Sequence, residues 1–328
     1  MELVEQIKQA VSYTKQKEFK KAEKIYLELL KAFPDNASVL SFLGLLYFNL
    51  ENYKKAEKYL EKSYKITPSK AIVSYIGLSK FVLTKLSSAI PYLEEAINEK
   101  PAFELYHAII ISCANCKDFH RAYKYSLEAH KQYPTNETFL YNLGYSSLQI
   151  GLFKESQQYC KKLLSLNPKY PNGWFLNGLQ AETLYGDEKL ARESYRIMAK
   201  CGDKAGAYIN LAISYAKDTK TQKKAYYYLK KTEKIMPDRK GLNFLFASYY
   251  LSNKQFKKGY KYYVDADKNN QDDIDWYSMF KRPWKGGEYK NETLFVYGDQ
   301  GIGDQIQFSR YLPFLEKKFK QIKVMVAE

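Results

Sequence analysis

The sequence predicts an all-α superhelical solenoid of about eight helix-turn-helix repeats, followed by a short, incomplete strand–helix–strand unit of α/β type. Three observations carry this expectation. A helix-breaking residue returns about every 34 positions, at Pro34, Pro68, Pro101, Pro134 and Pro168, then at Gly202 in place of a proline, then at Pro237. Small residues keep the same beat. Ala22, Ala56, Ala89, Ala122 and Ser156 stand twelve residues ahead of the breaker, and Ala10, Gly44, Gly77 and Gly144 twelve ahead of those, with Gly178 in the sixth unit. After Asn270 the beat stops, and compact β-branched and aromatic runs replace it. A period this long and steady marks a stacked repeat.

The physics of one unit follows from these positions. In the stretches 40–47 and 53–60 apolar residues recur at i, i+3 and i+4, the pattern of two short amphipathic helices, with Glu51 and Asn52 as a polar turn between them. Gly44 and Ala56 let the two helices approach closely. Proline then ends the second helix, because it donates no N–H and disfavours helix in the residue before it. A pair this short cannot bury its apolar face alone, so neighbouring pairs must stack.

Seven units fit, at roughly 3–36, 37–70, 70–103, 103–136, 137–170, 171–204 and 205–239. An eighth, at 240–270, keeps Ala247, Tyr250 and Gly259 and lacks the terminal proline. This spacing and these residues resemble the tetratricopeptide repeat (TPR) family over residues 1–270. The resemblance implies a superhelix whose concave wall is lined by the first helix of each pair, and a protein or peptide held in that groove. The candidate lining residues are Ser41, Leu45 and Phe48 in unit two, and His107 and Ile111 in unit four. Tyr141 and Tyr145 follow in unit five, and Phe175 and Leu179 in unit six.

Composition narrows the class. No apolar run opens the chain and no window approaches 18 uncharged apolar residues, so neither a secretory signal nor a transmembrane segment is expected. A cytoplasmic location is expected, with peripheral contact to a membrane surface left open. The formal charge of +16 raises nucleic acid as a partner. Only six of the 52 basic residues are arginine, at 121, 192, 196, 239, 282 and 310, so the planar forks that read phosphate and guanine are few. Lys54, Lys55, Lys58 and Lys62 sit at solvent-facing helix positions, and nucleic acid ranks low.

Cys113, Cys116, Cys160 and Cys201 fit a reduced protein without a disulfide framework. Cys113 and Cys116, with His107 and His120 near, have the spacing of half a metal site. No second Cys-x-x-Cys exists to complete four ligands, so no metal is expected. Both cysteines fall near the end of a first helix, where a buried apolar role is expected. His130 is expected as an exposed helix residue.

The tail has its own pattern. Residues 271–292, with Trp276, Trp284, Gly286 and Gly287, form a connector without helical period. Residues 293–328 then supply a strand at Thr293–Tyr297, a glycine-dense turn at Gly298–Asp304, a helix from Gln305 through Pro313 to about Lys318, and a second strand at Gln321–Ala327. Strand, glycine turn, helix, strand is the opening unit of a parallel α/β domain. The turn is not the dinucleotide fingerprint, since Ile306 stands where its third glycine belongs.

Three motifs in order carry a second resemblance: Arg282-Pro283-Trp284, Asp299-Gln300-Gly301-Ile302-Gly303-Asp304, and Arg310-Tyr311-Leu312-Pro313. Together they resemble the start of heptosyltransferase-like glycosyltransferases of the GT-B fold, whose two domains are Rossmann-like, and of their bacterial TPR-fused relatives. The resemblance implies a nucleotide-sugar donor, a glycan or protein acceptor, and a general base at Asp304 for the acceptor hydroxyl. Asp304 equally suits a helix N-cap. Gln300, Gly301 and Gly303 would form the substrate-binding loop, and Arg310 would meet an acidic acceptor or phosphate, or else a surface carboxylate.

The family's donor site lies in a second domain that these 328 residues do not contain, so the chain as it stands is not expected to transfer sugar. It is expected to be the amino-terminal part of a longer transferase. The alternative is a non-enzymatic adapter that assembles a protein complex. No cofactor is expected in the residues present.

Overall fold

The computed structural model describes residues 2–239, 241–268, 286–297 and 309–325. The chain divides into two compact units, Met1–Gly259 and Tyr260–Glu328. Sixteen helices fall in antiparallel pairs at the predicted beat. The first four pairs are α1 (Glu2–Lys15) with α2 (Phe19–Ala32), α3 (Ala37–Asn49) with α4 (Tyr53–Ile66), α5 (Lys70–Val82) with α6 (Leu86–Glu99), and α7 (Phe103–Asn115) with α8 (Phe119–Gln132). The next three are α9 (Glu137–Gln149) with α10 (Phe153–Leu166), α11 (Pro171–Tyr185) with α12 (Glu188–Lys200), and α13 (Lys204–Ala216) with α14 (Gln222–Ile235). The last is α15 (Leu242–Ser252) with α16 (Phe256–Lys268).

Local chemistry sets the boundaries. Asn36, Asn52, Asp118, Asn136, Asp187 and Asp203 each accept the backbone N–H three residues on, capping α3, α4, α8, α9, α12 and α13. Each cap is worth about 1 kcal/mol. The turn inside a unit needs one residue in the left-handed region. Lys17, Glu51, Thr84, Lys117 and Lys254 adopt it at φ 56–61°, and glycine supplies it only at Gly151 and Gly186. The seventh unit instead joins its helices through a 3-10 turn at Thr219–Thr221, anchored by Thr221 Oγ1 donating to the Tyr215 carbonyl at 2.6 Å. Gly202 stands in for the breaker proline because the chain leaves α12 at φ +121°, which side chains with a Cβ avoid.

The small residues close each pair, and Ala10, Ala22, Ala56, Ala89, Ala122 and Ser156 are all fully buried. A Cβ on Gly77 would lie 2.9 Å from Leu93 Cδ2, so α5 and α6 approach through that glycine. Unit four inverts the arrangement. Ile110 occupies the glycine's place fully buried, and a fully buried Ser126 stands where units two and three have Leu60 and Leu93. Large and small exchange sides, which keeps the interior filled.

Neighbouring units meet along a seam that changes character along the array. Between units one and two, Tyr47 Oη donates to Glu23 at 2.5 Å. One unit on, the same repeat positions hold Lys80 and Glu57, both with side chains under a tenth exposed. Lys80 Nζ reaches Glu57 at 3.0 Å and Glu61 at 2.8 Å, and Lys85 Nζ reaches Glu57 at 2.7 Å. Burial opposes the Glu57 charge, but hydrogen bonds from Lys85 and Lys80 outweigh it and hold the carboxyl below its ordinary value. The next seam replaces the pair with Ile90 and Cys113, both buried.

In the second unit, β1 (Tyr289–Tyr297) pairs in parallel with β2 (Phe319–Met325), with Leu294 opposite Ile322 and Val296 opposite Val324. A parallel pair requires a crossover. The short α17 (Leu312–Glu316) lies within it and packs on β2. The strand–helix–strand order is as the sequence predicts, with two corrections. β1 starts at Tyr289, inside the stretch expected as connector, where Tyr289 stacks on Phe319 at 5.9 Å. Arg310 and Tyr311 form a turn, and α17 holds Pro313 in its first turn, where its missing N–H costs nothing, while 305–308 of the expected helix lie outside the described residues.

Candidate protein-binding surface

Successive first helices touch one another: α1 with α3, α3 with α5, α5 with α7, α7 with α9, and α9 with α11. Among the described residues no comparable contact joins successive second helices. A row whose members touch lies on the inside of a curve, so the first helices line the concave wall of the array.

That wall is nearly free of net charge. The eight first helices carry five basic and five acidic residues, and α3 and α15 carry none. The eight second helices carry 28 basic and 14 acidic residues, a net +14 out of the chain's +16. Net charge is thus concentrated on the second helices.

All nine residues expected to line the groove are half-buried on first helices. Eight of them fall into two rows four residues apart, and Phe48 lies outside both. Ser41, His107, Tyr141 and Phe175 share one repeat position, and Leu45, Ile111, Tyr145 and Leu179 share the other. Sequence reasoning missed that the register extends further. Val11, Leu78 and Ile213 continue the second row, and Ile7, Ser74, Ile209 and Phe244 continue the first. The 33–35-residue spacing was the signal that could have found them. Across seven consecutive units the second row holds only Val, Leu, Ile and Tyr.

Aromatic contacts brace the rows. Tyr145 stacks on Tyr141 at 5.9 Å and meets Phe175 of the next unit at 6.4 Å and Phe119 at 6.0 Å. His107 lies flat on Phe103 at 6.4 Å and edge-on to Phe81 at 6.2 Å, and Phe48 meets Tyr75 edge-on at 5.0 Å. Beneath the wall, Ser156 Oγ donates to the Gly144 carbonyl at 2.6 Å and accepts from Gln180 Nε2 at 2.8 Å, tying α9, α10 and α11 together. Burial lowers the pKa of His107 below its ordinary value. Burial and the neighbouring Tyr145 and Tyr170 push the Tyr141 phenol well above its own. Both side chains are therefore neutral at neutral pH, and the wall offers apolar and aromatic contact without charge.

The cysteine and histidine expectations divide. Cys113 is fully buried, and burial pushes its thiol up to about 12, as it does for Cys160. Cys116 is exposed at the C-cap of α7, one residue past the end of the helix that buries Cys113, which corrects its expected burial. His130 is half-buried rather than exposed. It packs edge-on against Tyr159 at 6.1 Å, with Nε2 3.2 Å from Lys162 Nζ. Among the described residues no group of three His, Cys, Asp or Glu side chains could hold a metal.

Of the transferase-like residues, Arg310 is exposed and lies over Tyr311, its Nη2 3.1 Å from the phenol oxygen. Gln300, Gly301, Gly303 and Asp304 lie outside the described residues, as do Trp276 and Trp284.

The fold and an inner wall of near-zero net charge define a helical-repeat scaffold. Family models of the tetratricopeptide repeat match residues 7–71 and 138–170. The array is a tetratricopeptide-repeat solenoid, a class that binds protein or peptide partners. A tetratricopeptide repeat protein from Parabacteroides merdae matches with a TM-score of 0.61 at 14% identity, over 72% of this chain and 94% of that one. Yeast Tom70 matches with a TM-score of 0.56 at 14% identity, over 83% of this chain and 61% of its own. The hetero-tetramer Cut9-Hcn1 of the APC/C matches with a TM-score of 0.52 at 16% identity, over 84% of this chain and 54% of that one. At these identities the likeness is one of fold. No curated protein matches the sequence. No helix among the described residues is long and apolar enough to cross a membrane.

Proposed function

We infer that this protein is a scaffold that captures a segment of a partner protein along the wall of its first helices, and that the captured protein is presented to a glycosyltransferase. The observation that carries the first half is the row from Val11 to Ile213, apolar in seven consecutive units and partly exposed throughout. A half-exposed stripe of this length is unfavourable in water and suits the apolar face of a partner helix or extended segment. A chain of the APC/C hetero-tetramer Cut9-Hcn1 shares the fold, and its occurrence in an assembly agrees with a scaffolding role.

The second half rests on the motifs at Asp299–Asp304 and Arg310–Pro313, and the parallel pairing of β1 with β2 is compatible with it. In that reading the Asp304 carboxylate removes the proton of an acceptor hydroxyl. The hydroxyl oxygen bonds to the anomeric carbon of the donor sugar, and the nucleoside diphosphate departs with the electron pair of the broken C–O bond.

The test places a photo-crosslinking amino acid at Ile111 or Tyr145, and separately at Lys124 on a second helix, in the full chain in cells. A partner captured from the first two positions and not from Lys124 is the expected result; capture from Lys124 alone would move the site to the outer side. The captured protein then serves as acceptor for a labelled nucleotide sugar, in a protein carrying both domains of the transferase fold. Transfer should disappear in Asp304→Asn with capture intact. Undiminished transfer removes that carboxylate from the reaction, and capture without any transfer leaves an adapter that assembles a complex.

A further inference from the structure

We propose that one edge of the array, formed by the C-terminal ends of its second helices, docks on an anionic lipid bilayer. Lys31, Lys65, Lys131, Lys200 and Lys234 occupy the same repeat position in α2, α4, α8, α12 and α14, and all five are exposed. None of the five has an ion-pair partner among the described residues. Compensation of helix dipoles accounts for a cation in a last turn. It does not account for what stands beside these cations. Phe33, Ile66, Ile235 and Met236, at the ends of α2, α4 and α14, are each between 42% and 47% exposed, as is Leu166 at the end of α10, which carries no lysine at this position. Large apolar side chains recurring beside unpaired lysines at one edge mark an interaction surface.

The chemistry of the row selects the partner. Lysine is a point charge suited to a diffuse field of lipid phosphates and carboxylates, and the row contains no arginine to fork onto a guanine or a phosphate. The apolar members are mostly aliphatic, so they can enter the headgroup and upper acyl region but offer no platform on which bases stack. The net +14 of the second helices draws the same side toward a negative surface from a distance. Between α2 and α4 the edge opens into a groove of about 830 Å³ lined by Lys24, Lys31, Lys58 and Lys62, with Glu23 and Glu28 also on its wall. No described helix can cross the bilayer, so the contact is peripheral. This inference does not depend on what the inner wall captures.

The test is flotation of the full chain with vesicles of phosphatidylcholine alone and of phosphatidylcholine with phosphatidylserine. The expected result is binding to the second kind only. Each lysine near such a surface contributes about fivefold, so Lys65→Glu/Lys131→Glu/Lys234→Glu should lose at least about a hundredfold. Ile66→Ser/Leu166→Ser/Ile235→Ser should leave a weaker attachment that salt removes. Lys8→Glu/Lys15→Glu/Lys204→Glu makes the same change of net charge on the first helices and should keep most of the binding. These sites are exposed, and circular dichroism checks that each variant folds. Equal flotation with both vesicles, equal loss in both charge variants, or no binding to lipid overturns the proposal. Binding of single-stranded RNA with the same dependence on the row, in place of lipid, assigns it to nucleic acid and also overturns it.

Discussion

Gly44 and Leu60 pack so closely that a Cβ on Gly44 would lie 2.6 Å from Leu60 Cγ and 3.1 Å from its backbone nitrogen. Alanine in a helix interior normally gains about 1 kcal/mol over glycine, but overpacking costs about 1–3 kcal/mol, and contact with backbone decides for the cost. Gly44→Ala should destabilise by about 1 kcal/mol in urea unfolding. Leu60→Ala should cost less in the Gly44→Ala background than alone, because truncating the leucine relieves the clash. Additive effects would show that the two side chains do not limit the approach of α3 and α4.

Thr84 should respond in the opposite direction. It holds φ at +59° between α5 and α6, a strained conformation for a β-branched residue. Thr84→Gly should stabilise by about 1 kcal/mol, visible as a higher denaturation midpoint.

The Glu57–Lys80 pair predicts acid sensitivity. The folded-state value of Glu57 is depressed, so its stabilisation is present above the ordinary carboxylate range and is lost as pH falls through the lowered value. Burial opposes the Lys80 charge, but the hydrogen bonds it donates to Glu61 and Glu57 raise its value, so its contribution is complete below about 10.5 and is lost only as pH rises through the raised value. Lys80→Met should cost about 3 kcal/mol at neutral pH by leaving Glu57 to Lys85 alone. Glu57→Gln should flatten the fall in thermal midpoint as pH drops below the ordinary carboxylate range.

Thiol chemistry should separate the four cysteines. In native protein at pH 8, iodoacetamide should label Cys116 first and leave Cys113 and Cys160 untouched for as long as the fold holds, read by peptide mass spectrometry. Rapid native labelling of Cys113 would contradict its burial and its thiol near 12.

Substitution in the inner wall should cost binding rather than folding. Leu45→Lys/Ile111→Lys should weaken capture of the crosslinked partner at least about tenfold, because both residues are already part exposed and a lysine stem can lie along apolar surface while its amine stays in water. The thermal midpoint should move by only a few degrees.

Much of the array was legible in the residues. Pro34 to Pro237 set the boundaries, and Ala22, Gly44 and their equivalents marked the helix contacts, because a small residue at a fixed period has one common use. The two rows on the first helices were legible in part. Leu45, Ile111, Tyr145 and Leu179 were found, whereas Leu78 and Val11 were not, although the same register holds them. The edge of Lys31, Lys65 and Lys234 with Ile66 and Ile235 was not legible. Lysine in a last turn looks like ordinary capping until the exposure of its apolar neighbour is known.

By itself the sequence determined the repeat, its period, the pairing of helices and the strand–helix–strand order of the tail. These depend on local propensity and spacing along one chain. Only the tertiary structure decided that Ile110 and Ser126 exchange the large and small places, that His130 is packed and Cys116 is not, and that Ile66 and Ile235 are exposed beside Lys65 and Lys234. Those outcomes depend on which side chains from different units share the same volume, and a period along the chain does not specify that.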